Sequence, residues 1–338
     1  MKQRLVTIHI ALLLLLSSTG LAQQVENSEL FANDELLAIT LKTDLRKLIN
    51  TKMDPEYQDG EITMNGKTYP IQLKARGNNR RETCSFPPIT LDFSKTEFED
   101  PSYDQLEKLK LVNSCKMLVS YEQYILREYL IYRSYQLFTD KSFKVKLLRI
   151  DYVDAKEKIK TVTRYGFVIE DQYMMASRLD GVMVKKEGIR DQSTNRETIV
   201  MMSIFMYMIG NTDWNIPMLH NMKLLKLNKL TETAPYAVPY DFDYTGMVNA
   251  DYAVPSPILG IETLRQRLFW GKCYGEEELK TAINLFISKK QALYALYENF
   301  PYFDKSSLYE STSFLDSFYK IIEDEKRWKP VFMKECKE

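Results

Sequence analysis

The run TIVMMSIFMYMI at residues 198–209 is apolar nearly all the way round a helix and contains neither Gly nor Pro. A surface helix keeps one polar face, so a helix of this kind must be enclosed by other elements. Ser193 or Thr194 supplies a cap, Glu197 stands near the start, and Gly210-Asn211 ends the run. Around that helix the chain must build a sizeable core. Its 338 residues suffice for one large or two medium domains.

Upstream of the helix the texture is that of strands. Residues 61–73 read as a hairpin turning at Asn65-Gly66, and residues 72–76 lead into a second turn at Gly77-Asn78-Asn79. Residues 89–93 and 108–112 alternate as half-buried strands do. Between residues 121 and 138 the period changes to about 3.6, with Tyr124, Ile125, Tyr129, Ile131, Tyr132 and Tyr135 on the apolar positions. Strands resume at 144–153 and 161–169. After Glu170 the pattern is mostly helical, with short strands at 222–227 and 236–240 and helices at 276–297 and 313–325. The expected fold class is α+β: a strand-rich part over residues 23–170 holding one long helix, then a mostly helical part over residues 171–338.

The first residues follow the order of a secretory leader. Lys2 and Arg4 precede an apolar run at residues 5–16 and a small-residue stretch ending at Ala22, which places the expected cut after Ala22. The apolar run is too short for a bilayer span, which needs about 20 residues, and no Cys follows it to carry a lipid anchor. The sequence therefore reads as exported to the periplasm, cell envelope or exterior, with no stable membrane span. Cys84, Cys115, Cys273 and Cys336 fit no zinc spacing, and an oxidising compartment favours pairing them. Of three connectivities, Cys84 with Cys115 is favoured because both end neighbouring strand-like segments; Cys273 with Cys336 follows by elimination. Buried free thiols are the alternative.

Charge narrows the chemistry. Lys+Arg and Asp+Glu number 46 each, so nothing points to nucleic acid or an acidic membrane as partner. Two His leave little material for a His-based zinc site or a His-dependent triad. Carboxylates must carry any metal chemistry. They concentrate where the buried helix gives way to loop: Asn211-Thr212-Asp213-Trp214, then Asn221 before the next strand, then Tyr240-Asp241-Phe242-Asp243. In an extended strand Asp241 and Asp243 point to one side, as two ligands of a hard cation do. An Asp to orient an acceptor, with an Asn and Asp to hold magnesium on phosphates, is the inventory of phosphoryl transfer. The plainer alternatives are a cap and turn at Asp213 and a solvated strand edge at Asp241 and Asp243.

Six short pieces come in the order seen in the CotH family of spore-coat-protein-H-like proteins. They are Arg76-Gly77-Asn78-Asn79, the segment from Lys108 through Lys110 to Ser114, the helix with Arg127-Glu128, the segment Tyr165-Gly166-Phe167-Val168-Ile169-Glu170-Asp171, Gly210-Asn211-Thr212-Asp213-Trp214 with Asn221, and Tyr240-Asp241-Phe242-Asp243. Over roughly residues 60–250 the chain resembles that family, whose members have an atypical protein-kinase fold. The resemblance implies a two-lobed protein-kinase-like body that binds ATP and Mg2+. It implies that Arg76, Gly77 and Asn78 turn over the nucleotide phosphates, that Lys110 grips phosphate with Glu128 as its ion-pair partner, and that Glu170 and Asp171 sit at the hinge. Lys108, of the same strand parity, is the alternative to Lys110. Asp213 becomes the catalytic carboxylate, and Asn221, Asp241 and Asp243 the metal ligands.

The pattern departs from protein kinases in two places. Asp213 and Asn221 are eight residues apart rather than five, which requires a small excursion around Pro217. The phosphate turn has a single Gly and is followed by Arg80 and Arg81, which either bind phosphate or block the turn. Two functions stay open: an exported phosphotransferase acting on a protein or glycan hydroxyl, and a non-catalytic envelope or surface-structure protein that binds a partner in the cleft. A carboxylate-metal hydrolase lacks an identifiable water-activating base.

Overall fold

Alternating apolar side chains produce seven strands that close on themselves. The computed structural model describes residues 29–77, 79–334 and 336. In it, β1 (Leu37–Thr43), β2 (Gln58–Met64), β3 (Lys67–Ala75), β4 (Ile89–Asp92), β5 (Lys108–Asn113), β6 (Val145–Asp154) and β7 (Val162–Ile169) form a closed barrel in the order β1-β2-β3-β4-β5-β7-β6. Every neighbouring pair is antiparallel except β1 with β6, where Leu37 lies opposite Leu148 in parallel register. Leu41, Leu73, Ile89, Leu111 and Ile150 fill the interior and are fully buried, so the barrel is a packed core and not a pore. Gly166 is required where β7 crosses the filling: a Cβ there would lie 2.7 Å from Ile150 Cδ1. At the β2–β3 hairpin Asn65 and Gly66 take φ of 51° and 77°, the paired positive values that a two-residue turn of this type demands.

Among the described residues there are eight α-helices: α1 (Leu45–Asn50), α2 (Asn79–Thr83), α3 (Glu122–Gln136), α4 (Gln172–Arg178), α5 (Arg196–Ile209), α6 (Glu276–Glu298), α7 (Lys305–Ile322) and α8 (Glu325–Lys329). A second sheet, ordered β10-β9-β8, consists of β8 (Gly181–Val184), β9 (Met222–Leu227) and β10 (Tyr236–Pro239). Every residue of 198–209 is buried, as an all-round apolar helix requires. The N-cap of α5 is Asn195, whose Oδ1 accepts from the Thr198 N–H at 3.0 Å, one residue later than the nearer of the two caps suggested by the sequence. Gly210 ends it at φ +67°, where a Cβ would meet Leu264 O at 2.9 Å.

The expectation of a two-lobed kinase-like body, with a strand-rich lobe set apart from a mostly helical one, is corrected by this architecture. The strands do not make an open sheet. β1, which the periodicity reading passed over, hydrogen-bonds β2 on one side and β6 on the other and so supplies the wall that closes the barrel. The second half contributes a sheet of its own. The long helix α3 does not belong to one half: it packs on β6 and β7 and also against α6 and α7. One apolar core therefore runs from the outer wall of the barrel, through Val112, Val145 and Phe167, to Phe205, Phe286 and Phe318 in the helices beyond.

Both favoured disulfides are formed, Cys84 with Cys115 and Cys273 with Cys336, and no cysteine among the described residues is free. They fit an exported protein. No helix among the described residues is long and apolar enough to cross a membrane. The leader reading, with its apolar run and its cut after Ala22, lies outside the described residues.

Candidate functional site

Four chain segments converge beside the barrel: the turn after β3 with α2, the middle of α3, the loop after α5, and the loop after β10. Glu128 on α3 is 1% exposed, and its Oε1 has no hydrogen-bond partner among the described residues. One turn later, Tyr132 Oη accepts the Asp241 N–H at 2.8 Å, while the Tyr240 N–H donates to Asn221 O at 3.1 Å. Those two bonds fix the chain as it leaves β10. The strand stops at Pro239, and Asp241 adopts a left-handed φ of +65°. Asp241 and Asp243 are thus not alternate positions of an extended strand, as the sequence suggested, but lie on either side of a turn. The turn still keeps their charges close: after burial, the Asp241 carboxylate is the strongest influence raising the Asp243 carboxyl, to about 7. Asp243 is 5% exposed, and its Oδ2 is also without a hydrogen bond.

The cation that answers these acids is Arg80. Its Nε lies 3.8 Å from Asp243 Oδ2, its Nη2 donates to Asn113 O at 2.8 Å, and its guanidinium stands 5.9 Å from the centre of the Tyr252 ring. Burial raises the Glu128 carboxyl well above the usual range, the Asp243 charge raises it further, and Arg80 opposes both. Burial also works against the charge of Arg80, but Tyr252, Asp243, Glu128 and Asp241 more than offset it, and the guanidinium stays charged. Arg80 reaches this position because α2 is stapled down. Cys84 follows α2 directly and is bridged to Cys115, just past the end of β5, and Phe86 N–H donates to Cys115 O at 3.1 Å. The disulfide packs with Tyr121, Tyr124 and Tyr252 into a small cluster behind the guanidinium.

Asp213 sits at the open side of this cluster. Its N–H donates to Asn211 Oδ1 at 2.7 Å; Asn221 Nδ2 donates to its backbone oxygen at 2.8 Å and to its Oδ2 at 3.0 Å. His220 Nε2 is 2.8 Å from Oδ1. The carboxylate is oriented by these partners yet remains 45% exposed, and its charge reaches Asp243. The eight-residue spacing is absorbed as a small excursion through Ile216-Pro217, pinched off by paired backbone hydrogen bonds between Asn215 and His220. His220 is the site residue that sequence reasoning missed. It was counted only in the argument against histidine chemistry, although its place beside Asn221 was a usable signal.

A cationic side faces the acids. Lys110 on β5 holds its ammonium 4.5 Å from the centre of the Tyr240 ring, and Lys223 on β9 stands 5.2 Å from the same ring. Burial, then the charge of Arg76, pulls the Lys110 ammonium down to about 8. The ion pair expected between Lys110 and Glu128 is replaced by the approach of Arg80, because α2 brings its guanidinium deeper than β5 brings the ammonium. Lys108 is turned to Asp92, 3.4 Å away, and is 55% exposed. Gly77 has φ +86°, which accounts for the glycine at that turn; Asn78 lies outside the described residues. Glu170 accepts from Arg178 Nε at 2.8 Å, Arg178 Nη2 at 2.9 Å and the Lys144 N–H at 2.9 Å, so its carboxylate is saturated and braces the wall.

Among the described residues no three His, Cys, Asp or Glu side chains are gathered closely enough to hold a metal ion. Magnesium is commonly held by one or two carboxylates together with substrate phosphates. Asp243, whose buried Oδ2 accepts no hydrogen bond, and Asp241 beside it fit that partial donor set; Asn221 gives its carboxamide nitrogen to Asp213, and a cation would take its oxygen. A cavity of about 850 Å³ lies between α5, α6 and Tyr236 and shares no lining residue with this site. No protein-family model matches the chain, and no curated protein matches it.

Proposed function

We propose that this chain is an exported, magnesium-dependent phosphotransferase that moves the γ-phosphoryl group of ATP to a protein or glycan hydroxyl, in the periplasm, cell envelope or exterior. One observation carries the reading: a half-exposed carboxylate, Asp213, is locked in orientation near a buried carboxylate, Asp243, whose Oδ2 accepts no hydrogen bond, and two lysines, Lys110 and Lys223, converge on the ring of the neighbouring Tyr240 with no ion pair among the described residues. Asp213 takes the proton of the acceptor hydroxyl as its oxygen bonds to the γ-phosphorus, and the electron pair of the broken P–O bond leaves on ADP. Asp241 and Asp243 would hold magnesium, which supplies neutralisation of charge on the phosphate oxygens. Lys110 and Arg76 face the same phosphates. The order of motifs that resembles the CotH family supports the chemistry, though not the two-lobed body. The test is transfer from γ-labelled ATP to the chain itself or to an envelope extract, with Asp213→Asn as the control.

A second reading is favoured by Arg80. Because it already stands 3.8 Å from Asp243, and burial favours the uncharged form of Glu128, the cleft holds its buried acids without a metal, as a partner-binding protein that does no chemistry requires. Binding of ATP that is indifferent to magnesium, with no transfer, would select this reading.

A further inference from the structure

We infer that Lys223 completes, with Arg76 and Lys110, a three-cation cradle that takes a di- or triphosphate in preference to a single phosphate. The inference rests on the phosphotransferase reading and assigns the residue that sets its ligand class. Lys110 comes from the barrel and Lys223 from the small second sheet, two elements far apart in sequence, yet both ammoniums converge on the ring of Tyr240, at 4.5 and 5.2 Å. Arg76, at the end of β3, adds its charge to the same place. Like charges brought together out of water cost stability, and burial and the neighbouring cations outweigh what Asp241 and Asp171 return to Lys110, so an anion bound there is favoured.

Two acids draw on these ammoniums, Asp241 and Asp171 on Lys110 and Asp171 on Lys223, but neither makes an ion pair with them among the described residues; the carboxylates nearby have partners of their own. Glu170 is saturated by Arg178 and the Lys144 N–H, Asp92 pairs with Lys108, and Asp171 caps α4 through the Tyr173 N–H at 2.7 Å. Lys110 and Lys223 line one cavity of about 70 Å³ together with Phe143, Ile169, Glu170 and Asp171. Burial lowers the Lys223 ammonium as well, the same sign of strain that marks Lys110. Three positive charges from separate segments, Lys110 on β5, Lys223 on β9 and Arg76 just past β3, match an extended polyanion better than a compact doubly charged phosphate.

The test uses the full chain with magnesium present throughout, so that the charge of Asp241 and Asp243 does not repel the ligand, and measures calorimetric affinity for tripolyphosphate and for inorganic phosphate. The control is Lys226→Gln, an exposed lysine on the same strand. Lys223→Gln should weaken tripolyphosphate about tenfold or more, change inorganic phosphate by less, and melt no lower than the wild type; Lys223→Arg should restore most of the loss. If Lys223→Gln binds tripolyphosphate within twofold of Lys226→Gln, the inference is overturned while the phosphotransferase reading stands. If the wild type binds no polyphosphate, the phosphotransferase reading is overturned and the cradle falls with it.

Discussion

Replacing Lys110 by Met should make the protein more stable at neutral pH while weakening its hold on nucleotide. The ammonium is pulled from the ordinary 10.5 to about 8, first by burial and then by Arg76. At about 1.4 kcal/mol for each tenfold change, holding that charge in the fold costs roughly 3 kcal/mol at pH 7. Met fills a comparable volume without the charge, but gives up the contact with Tyr240, worth about 1 kcal/mol. The net gain is roughly 2 kcal/mol, or a few degrees in Tm. The sign with pH follows from the depressed value. Below 8 the lysine is charged in both folded and unfolded chains and the full penalty applies. Between 8 and 10.5 the folded form loses its proton first and the penalty fades, so the advantage of Met should vanish toward pH 10.5. Urea denaturation of both proteins at pH 7 and pH 10 measures the difference. A Met variant less stable at pH 7, or an advantage that does not shrink with pH, would refute the reasoning.

Arg80→Ala should be among the most damaging single changes, because it leaves Glu128 and Asp243 buried without a cation; the loss at pH 8 should be about 3–5 kcal/mol by denaturant midpoint. Since the Asp243 carboxyl is raised to about 7, it is neutral at pH 5 and needs no partner there, so the same variant should recover much of its deficit on acidification. Non-reduced peptide mapping should recover Cys84 linked to Cys115 and Cys273 linked to Cys336. Removing the first bridge, which closes 31 residues, should cost roughly 3 kcal/mol and also loosen Arg80, read as a weaker response of stability to pH. Mass spectrometry of the secreted protein should find an N-terminus near Gln23, and an intact Met1 in a membrane fraction would contradict the leader reading.

Local features were legible because their causes are local. Asn65-Gly66 announces a turn with two positive φ values, the 3.6 period announces α3 and α5, and the long gap from Asp213 to Asn221 announces an excursion at Pro217. The barrel was not legible. Its closure depends on β1 pairing in parallel with β6 about a hundred residues later, and no short window records that. The fold does bring the candidate acids near one another, but not in the arrangement their spacing suggests: Tyr240-Asp241-Phe242-Asp243 alternates like a strand, whereas Tyr132 and Asn221 capture its backbone and turn it. Nor does sequence say which cation meets a buried carboxylate. Arg80 does so because the Cys84–Cys115 bridge and Asn113 hold α2 in place, while Lys110 lies over the ring of Tyr240.

Calorimetric titration of ATP into the wild-type protein, with and without magnesium, bears most directly on the proposed function. The expected result is saturable binding that requires magnesium, is lost in Asp243→Ala, and persists in Asp213→Ala, which transfers no phosphate from γ-labelled ATP. A wild-type protein that binds ATP equally well without magnesium, or not at all at millimolar concentration, would contradict the phosphotransferase and leave Glu128, Asp243 and Arg80 as a structural ion cluster.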